Sequence, residues 1–260
     1  MNLMKWQYTL LLSAFLIFST VSIGFAADGF EYLPDESTLG LWHFDGDNIV
    51  DFSDNKVKGE VEGKSAWDAN QDWNREDKQG KSFVFDGNTV ISLGEADVLI
   101  PKVEITIEAW VYPENLTGWR LICAHWDGPP GAYHLGVENG IAKFHINTEK
   151  GTAFAGATDP LELKQWQHVA GTYNSNEIKL YIDGKQVGAT NHGGKFVGVG
   201  FDVIIGSKNT RQFKWTGLMD EVRISDIARE ADVLSPNLDA PQAVAFSEWT
   251  LPTFWGHLKQ

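Results

Sequence analysis

Residues 166–188 read WQHVAGTYNSNEIKLYIDGKQVG, and residues 217–225 read GLMDEVRIS. The first stretch contains two runs of alternating apolar residues that are joined by a polar turn, and the second run ends at Asp183-Gly184. Such a pair suits a tight hairpin, because both turn residues must tolerate positive φ angles. The alternation therefore predicts antiparallel β-strands in this part of the chain.

Similar short strands, bounded by turn residues, are predicted through most of the chain. The pair Asn139-Gly140 gives a second hairpin signal between residues 133–137 and 141–146. No long apolar series at helical spacing occurs before Asp226, and the 26 glycines lie among the turns. We therefore predict an all-β fold, a sandwich of two antiparallel sheets, with one short helix over residues 226–234.

Residues 103–112 predict a strand with two different faces. Val103, Ile105, Ile107, Ala109 and Val111 share one face, and Glu104, Thr106 and Glu108 share the other. This pattern predicts a half-buried strand whose polar face is solvated.

The chain has 260 residues, of which 43% are hydrophobic, and this is enough to bury one sizeable core.

The N-terminus of the chain has the features of an export signal. Lys5 precedes an apolar stretch at residues 10–25, and small residues follow it. Serine and threonine interrupt this stretch, which favours a cleaved signal over a membrane anchor. We therefore expect a signal peptide over residues 1–26 and an extracellular or periplasmic product without membrane insertion after cleavage. A lead-in over residues 27–38, one domain over 39–234 and a linker with a tail over 235–260 complete the chain; the tail either docks on the sandwich or binds a partner.

The formal net charge of −14 restricts the partners. Nucleic acids and anionic membranes bind clustered Lys and Arg, so an acidic surface argues against both. Cations and neutral ligands are compatible with this charge. The single cysteine, Cys123, lies in the apolar run LICA, which predicts a buried thiol without an intrachain disulfide.

Four short motifs together resemble one known family. They are LWHFDG at 41–46, FVFDG at 83–87, ITIEAWV at 105–111 and the closing GLMDEVRIS. In order and spacing they resemble the laminin G-like, concanavalin A-like jelly-roll domains of secreted proteins. The resemblance covers about residues 39–234, and it implies a jelly-roll sandwich whose first and last strands are neighbours.

Related jelly rolls often hold a calcium ion between those two strands. Transferred to this chain, the resemblance implies Asp45 and Asp220 as ligands, with Asp51 and Ser53 as further candidates. Calcium takes six to eight oxygen ligands, and the Asp-rich residues 45–54 supply carboxylates on an irregular loop. Alternatively, Asp45 only begins a turn, and Asp220 pairs with Arg223 or caps a backbone group. The seven histidines show no close spacing of the kind that zinc sites use.

Eleven tryptophans are many for this length, and flat aromatic faces beside polar groups bind sugar rings. Trp42, Trp110 and Trp166 lie within or beside apolar strands, so we assign them to the core. Other aromatic and charged residues flank loops or face each other across the second hairpin, although loop packing or a cross-strand polar pair would explain them equally well. The candidate ligand-binding residues are Trp119, Arg120, Trp126, Asp127, His134, His145, Arg211 and Trp215.

The predicted function is that of a secreted, non-catalytic module that binds a glycan or glycoprotein surface and holds a structural calcium ion. Protein–protein adhesion at a cell surface or matrix is one alternative. A polysaccharide-degrading enzyme of the same sandwich class is the other. Retaining glucanases of that class use the pattern Glu-x-Asp-x-x-Glu on one strand, and both partial matches here, at 95–100 and 230–235, lack the third acid. A solvated face explains Glu104 and Glu108 more simply than catalysis does.

Overall fold

The computed structural model describes residues 32–68, 80–129, 131–198, 200–231 and 233–234. The predicted signal peptide, the start of the lead-in, most of the acidic connection at 67–80 and the C-terminal tail lie outside the described residues. The described residues form fifteen strands and one turn of 3-10 helix at Asp97–Leu99. The strands are β1 (Thr38–Trp42), β2 (Glu60–Glu62), β3 (Trp67–Asp68), β4 (Ser82–Asp86), β5 (Val90–Ser92), β6 (Ile105–Pro113), β7 (Trp119–His125), β8 (Tyr133–Glu138), β9 (Ile141–Thr148), β10 (Gly151–Pro160), β11 (Gln167–Tyr173), β12 (Glu177–Ile182), β13 (Lys185–Asn191), β14 (Ile204–Ile205) and β15 (Thr216–Ser225).

These strands build two antiparallel sheets that face each other. The eight-stranded sheet has the order β13-β12-β11-β6-β15-β4-β3, with β1 paired on β15. The seven-stranded sheet has the order β10-β9-β8-β7-β14-β5-β2. Fully buried apolar side chains from both sheets form one continuous core between them. The structure therefore confirms the all-β, two-sheet antiparallel jelly-roll sandwich.

Both predicted hairpins are present. Asp183 and Gly184, with φ of 49° and 71°, join β12 to β13, and Asn139 and Gly140, with φ of 50° and 87°, join β8 to β9. Positive φ at both turn positions matches the twist of the flanking strands. Two-residue turns fix the register of each hairpin, and the second turn places His134 directly opposite His145.

The first and last strands are neighbours, as the family resemblance implies. Strand β1 pairs with β15 in antiparallel register, with Trp42 opposite Val222. Asp45 follows β1 by three residues, and Asp220 precedes Val222 by two. The pairing therefore brings these two aspartates to the same end of the strand pair.

Two predictions about local structure are wrong. Strand β6 is buried on both faces, because chain segments at both ends of the domain cover the outer face of the eight-stranded sheet. Tyr32 packs there with Leu41 and Trp110, and Leu234 packs there with Ala170. The described part of 226–234 forms bends and turns instead of a helix, since the backbone N–H groups of Ala228 and Arg229 donate to the side chains of Glu104 and Thr106.

Within the described residues, no helix is long and apolar enough to cross a membrane.

Candidate functional site

The outer face of the seven-stranded sheet carries a row of aromatic rings. The rings of His134 on β8 and His145 on β9 stack with 4.2 Å between centroids and 22° between planes. Phe154 on β10 continues the stack at 4.7 Å from His145. On the other side, Trp119 lies 5.6 Å from both histidines, and Trp126 lies 5.0 Å from His134. We call these five residues the aromatic row.

The row follows from strand alternation. Tyr133 and Leu135 flank His134 along β8, and Phe144 and Ile146 flank His145 along β9, and all four belong to the core. Because neighbouring residues of a strand point to opposite faces, the histidines must point away from the core. Paired strands then align the outward rings across the sheet.

The aromatic row is exposed to solvent at one end and buried in the middle. Phe154 is 44% exposed, whereas His134 is only 6% exposed because Trp119, Trp126 and His145 surround it. The row therefore presents a flat apolar surface to solvent at Phe154.

A charged pair lies over the aromatic row. Lys143 is two residues from His145 on β9, so both point to the same face. Its Nζ lies 4.9 Å from the centroid of Phe154, 5.6 Å from that of Trp119 and 2.5 Å from Glu138 Oε2. The hydrogen bond from Lys143 lowers the pKa of Glu138. The pair places one donor group and one acceptor group beside the rings, as in sugar-binding sites.

The two imidazoles of the row are electrically neutral at neutral pH. Among the described residues, neither ring nitrogen of His134 has a hydrogen-bond partner. Burial, together with nearby His145, holds the pKa of His134 well below its usual value. Burial, together with Lys143, lowers the pKa of His145 to about 4. Both rings are therefore uncharged.

Acid is expected to destabilise the fold through these histidines. Below pH 6.5, the ordinary pKa of histidine, the unfolded chain takes up protons on both imidazoles, while His145 stays neutral in the fold until pH falls to about 4. Because the unfolded state binds more protons in this window, the free energy of unfolding decreases as pH falls. The shift at His145 alone corresponds to at most about 3 kcal/mol. Urea unfolding at several pH values should show a shallower pH dependence for His145→Phe than for the wild type. Identical slopes would contradict the prediction.

The structure brings four of the eight predicted ligand-binding residues into the aromatic row, and the other four do not belong to it. Trp119, Trp126, His134 and His145 lie in the aromatic row. Arg120 directly follows Trp119 on β7, and neighbouring residues of a strand point to opposite faces, so its side chain points away from the aromatic row.

Trp215 does not belong to a surface site. It is fully buried in the main core, so the prediction that it contacts a ligand is wrong. The polar residues around it in sequence indicated a loop, but its backbone N–H donates to the carbonyl of Gly206, which directs the indole between the sheets.

The other two predicted residues are engaged within the protein. Arg211 donates through Nε to Glu62 Oε2 at 2.9 Å, and its Nη2 lies 3.3 Å from Asp202 Oδ2. Asp127 accepts from Thr210 Oγ1 at 2.9 Å and pairs with Lys208 Nζ at 2.7 Å. These contacts hold the loop at 207–213 beside Trp126, where Asn209 N donates to the Trp126 carbonyl.

Sequence reasoning missed Phe154 and Lys143. Lys143 had a usable signal, because it lies two residues before His145 in a predicted strand and must share its face. Phe154 had none, because residues 151–160 contain small and polar residues without clear alternation. Only the pairing of β10 with β9 shows that Phe154 extends the row.

A second group of charged and polar side chains is buried beneath Tyr32 on the outer face of the eight-stranded sheet. Arg223 pairs with Glu108 Oε1, at 2.8 Å from Nε and 2.7 Å from Nη2. His168 Nε2 lies 3.2 Å from Glu108 Oε2 and 3.0 Å from the Tyr32 hydroxyl. The guanidinium of Arg223 lies 4.1 Å from the centroid of the Tyr32 ring. We call Tyr32, Glu108, His168 and Arg223 the buried polar cluster.

The buried polar cluster has a structural role. Burial by itself would raise the pKa of Glu108, but Arg223 and His168 outweigh this effect and lower it. Glu108 is therefore an ionised carboxylate that is paired with Arg223 and shielded from solvent. The prediction of a solvated Glu108 is wrong, because the alternation of residues 103–112 could not show that Tyr32 covers this face.

The residues predicted to bind calcium already make internal hydrogen bonds. Asp51 Oδ1 accepts from the backbone N–H groups of Leu41 and Ser53, and Oδ2 accepts from Val57 N and the Ser53 hydroxyl. Asp45 Oδ1 accepts from Lys81 N at 3.0 Å, and Asp220 Oδ1 accepts from Glu221 N at 2.9 Å.

Within the described part of the chain, no group of three or more His, Cys, Asp or Glu side chains could hold a metal ion. Asp51 and Ser53 therefore fit a loop-closing role better than a ligand role. A calcium ion at Asp45 and Asp220 would need most of its oxygen ligands from backbone carbonyls.

Cys123 is buried, as predicted, and burial raises the pKa of its thiol to about 12. A thiol of this pKa is a poor nucleophile at neutral pH.

The two-sheet antiparallel sandwich agrees with one known superfamily. The chain belongs to the concanavalin A-like lectin/glucanases superfamily, whose laminin G-type family model matches residues 85–235, more than half of the chain. This match confirms the family resemblance of the sequence motifs. A comparison with curated proteins finds no significant match.

Several solved structures share the fold. Domain 4 of AbnA, an extracellular GH43 arabinanase from Geobacillus stearothermophilus solved in complex with arabinotriose, aligns with a TM-score of 0.62 and 19% identity over 76% of this chain and 97% of that one. The binding domain of Paraclostridial Mosquitocidal Protein 1 aligns with a TM-score of 0.62 and 14% identity over 76% of this chain and 51% of that one. The binding domain of botulinum neurotoxin serotype G aligns with a TM-score of 0.59 and 12% identity over 76% and 50%. This chain thus spans about half of the two toxin binding domains, and at these identities the likeness concerns the fold.

Proposed function

We propose that this protein is a non-catalytic carbohydrate-binding module that binds its ligand at the aromatic row. The observation that carries the proposal is the continuous row of five rings with Phe154 exposed at its end. Sugar rings present apolar C–H faces that pack on aromatic side chains, while neighbouring polar groups bind the hydroxyls. Lys143 and Glu138 supply such groups at the row.

The fold comparison supports the same proposal. The arabinanase domain was solved with arabinotriose, so the fold of this chain is one that a known carbohydrate-binding domain uses. Because the fold does not specify the ligand, the assignment to this face depends on the aromatic row.

Loss of Phe154 is expected to weaken glycan binding without unfolding the domain. A glycan array, with arabinotriose included, identifies the ligand, and calorimetric titration then compares the wild type with Phe154→Ala. We expect a loss of affinity of at least about tenfold, the equivalent of about 1.4 kcal/mol. Phe154 is nearly half exposed, so its removal should change stability little.

Phe52→Ala is the matched control. Phe52 is 45% exposed, close to the 44% of Phe154, but it packs on His43 beside the eight-stranded sheet. Its replacement should leave glycan affinity unchanged. No binding across the array, or an equal loss in both variants, would refute the proposal; capture of a protein by the same face would favour adhesion instead.

We propose further that the module has no glycan-cleaving activity. Glu108 is buried and paired with Arg223, so its carboxylate is not presented to a substrate, and Glu104 Oε2 accepts a hydrogen bond from Ala228 N. Incubation with laminarin or alginate should release no reducing or unsaturated ends. Turnover that disappears in Glu104→Gln would favour the enzyme alternative.

The structural calcium ion is a separate proposal. It is supported only by the common position of Asp45 and Asp220 at one end of the β1–β15 pair. If an ion binds there, calcium stabilises the folded state by about 2.7 kcal/mol at a hundredfold excess over Kd. The melting temperature should then rise with millimolar calcium, fall with chelator, and become insensitive to both in Asp45→Ala. If the melting temperature of the wild type changes with neither calcium nor chelator, the ion is excluded.

We also propose that the protein is exported and begins near Ala27 after signal cleavage. N-terminal sequencing of exported material tests this, and retention of residues 1–26 on a membrane-bound product would contradict it.

A further inference from the structure

We infer that the glycan bound at the aromatic row is neutral, and that the row discriminates against uronate-containing or sulfated glycans. This inference rests on the proposed function and narrows its ligand class. It comes from three cations near the row, Lys143, Lys208 and Arg211, each of which pairs with a carboxylate of the protein.

Lys143 is the cation nearest to the rings. Its Nζ lies 2.5 Å from Glu138 Oε2, and both side chains are partly buried. An anionic sugar at Phe154 would approach this ion pair and not a free ammonium group. Because Glu138 already neutralises Lys143, a carboxylate or sulfate on the ligand would meet the repulsion of Glu138 together with the attraction of Lys143.

The cations of the adjacent loop are neutralised in the same way. Lys208, whose Nζ lies 5.0 Å from the centroid of Phe213, pairs with Asp127 at 2.7 Å. Arg211 pairs with both Glu62 and Asp202. These two cations thus face three carboxylates, so the loop offers an anionic ligand no excess positive charge.

The remaining groups of the row add no positive charge. Among the described residues, neither ring nitrogen of buried His134, nor Nε2 of partly buried His145, has a hydrogen-bond partner. Both rings are neutral near pH 7. The whole chain carries a formal charge of −14, so long-range electrostatics also repel polyanions. Apolar faces with balanced donors and acceptors fit a sugar whose polar groups are only hydroxyls.

The first test compares two sets of probes on the wild-type protein. Arabinotriose and laminaritriose represent neutral glycans, and heparin oligosaccharides and oligogalacturonate represent anionic ones. We expect binding to a neutral probe, sensitive to Phe154→Ala, with an affinity that changes less than about twofold between low and high salt. Anionic probes should bind at least about tenfold more weakly.

The second test removes the neutralising carboxylate. Glu138→Gln keeps the shape of the side chain and releases the charge of Lys143, so affinity for oligogalacturonate should rise about fivefold at low salt and return to the wild-type value at high salt. Glu177→Gln is the matched control, because it makes the same charge change beside Lys179 on β12 of the other sheet. It should leave the affinity for oligogalacturonate unchanged.

The outcomes separate this inference from the proposed function. Phe154-dependent, salt-sensitive binding of an anionic probe by the wild type would overturn the inference and leave carbohydrate binding intact. An equal gain in both Gln variants, or no gain in Glu138→Gln, would also overturn it. Absence of binding to every glycan, neutral or anionic, would overturn both.

Discussion

Replacement of Arg223 by methionine is expected to lower the free energy of unfolding by about 3–5 kcal/mol. Arg223 is 2% exposed and provides the positive charge for fully buried Glu108. Without it, Glu108 must either stay charged in a dry environment or take up a proton, and both cost free energy. The variant also lacks the contact between the Arg223 guanidinium and the ring of Tyr32. Urea denaturation of the purified variant measures the loss.

Two further variants make this expectation specific. Lys179→Met removes the cation of a partly exposed pair with Glu177, and it should cost less than about 1 kcal/mol. The double variant Glu108→Leu with Arg223→Met removes both charges and should recover much of the stability lost in the single variant. A loss of less than about 1 kcal/mol in Arg223→Met would show that solvent reaches Glu108 and that Tyr32 does not seal the buried polar cluster.

Replacement of Trp215 by alanine is expected to cost about 3–5 kcal/mol, because it removes a large, fully buried side chain and leaves a cavity between the sheets. Chemical denaturation of Trp215→Ala measures this loss.

The matched variant is Trp119→Ala, at a tryptophan that the sequence placed in the same predicted site. Trp119 is partly exposed at the outer face, so its removal should cost clearly less stability than removal of Trp215. Equal losses would mean that the two residues do not differ in burial as the structure describes.

Local sequence determined the features that depend on neighbouring residues. Asp183-Gly184 and Asn139-Gly140 specify their hairpins, because few residue pairs accept positive φ at both positions. The second hairpin then places His134 opposite His145. All four predicted residues that lie in the aromatic row could be named from the sequence, and the pairing of the two histidines could be predicted from the turn. The motifs between Leu41 and Ser225 similarly identified the family.

Only the tertiary structure decided which faces of the strands are covered and which strands become neighbours. Alternation separates the two faces of β6, but it does not show that Tyr32, at a sequence distance of 76 residues from Glu108, closes the polar one. For the same reason Trp215, which follows a polar loop, entered the core, while Phe154, in a strand without apolar alternation, extended the aromatic row. Burial depends on contacts between residues distant in the sequence, and a local pattern of polar and apolar residues carries no information about those contacts.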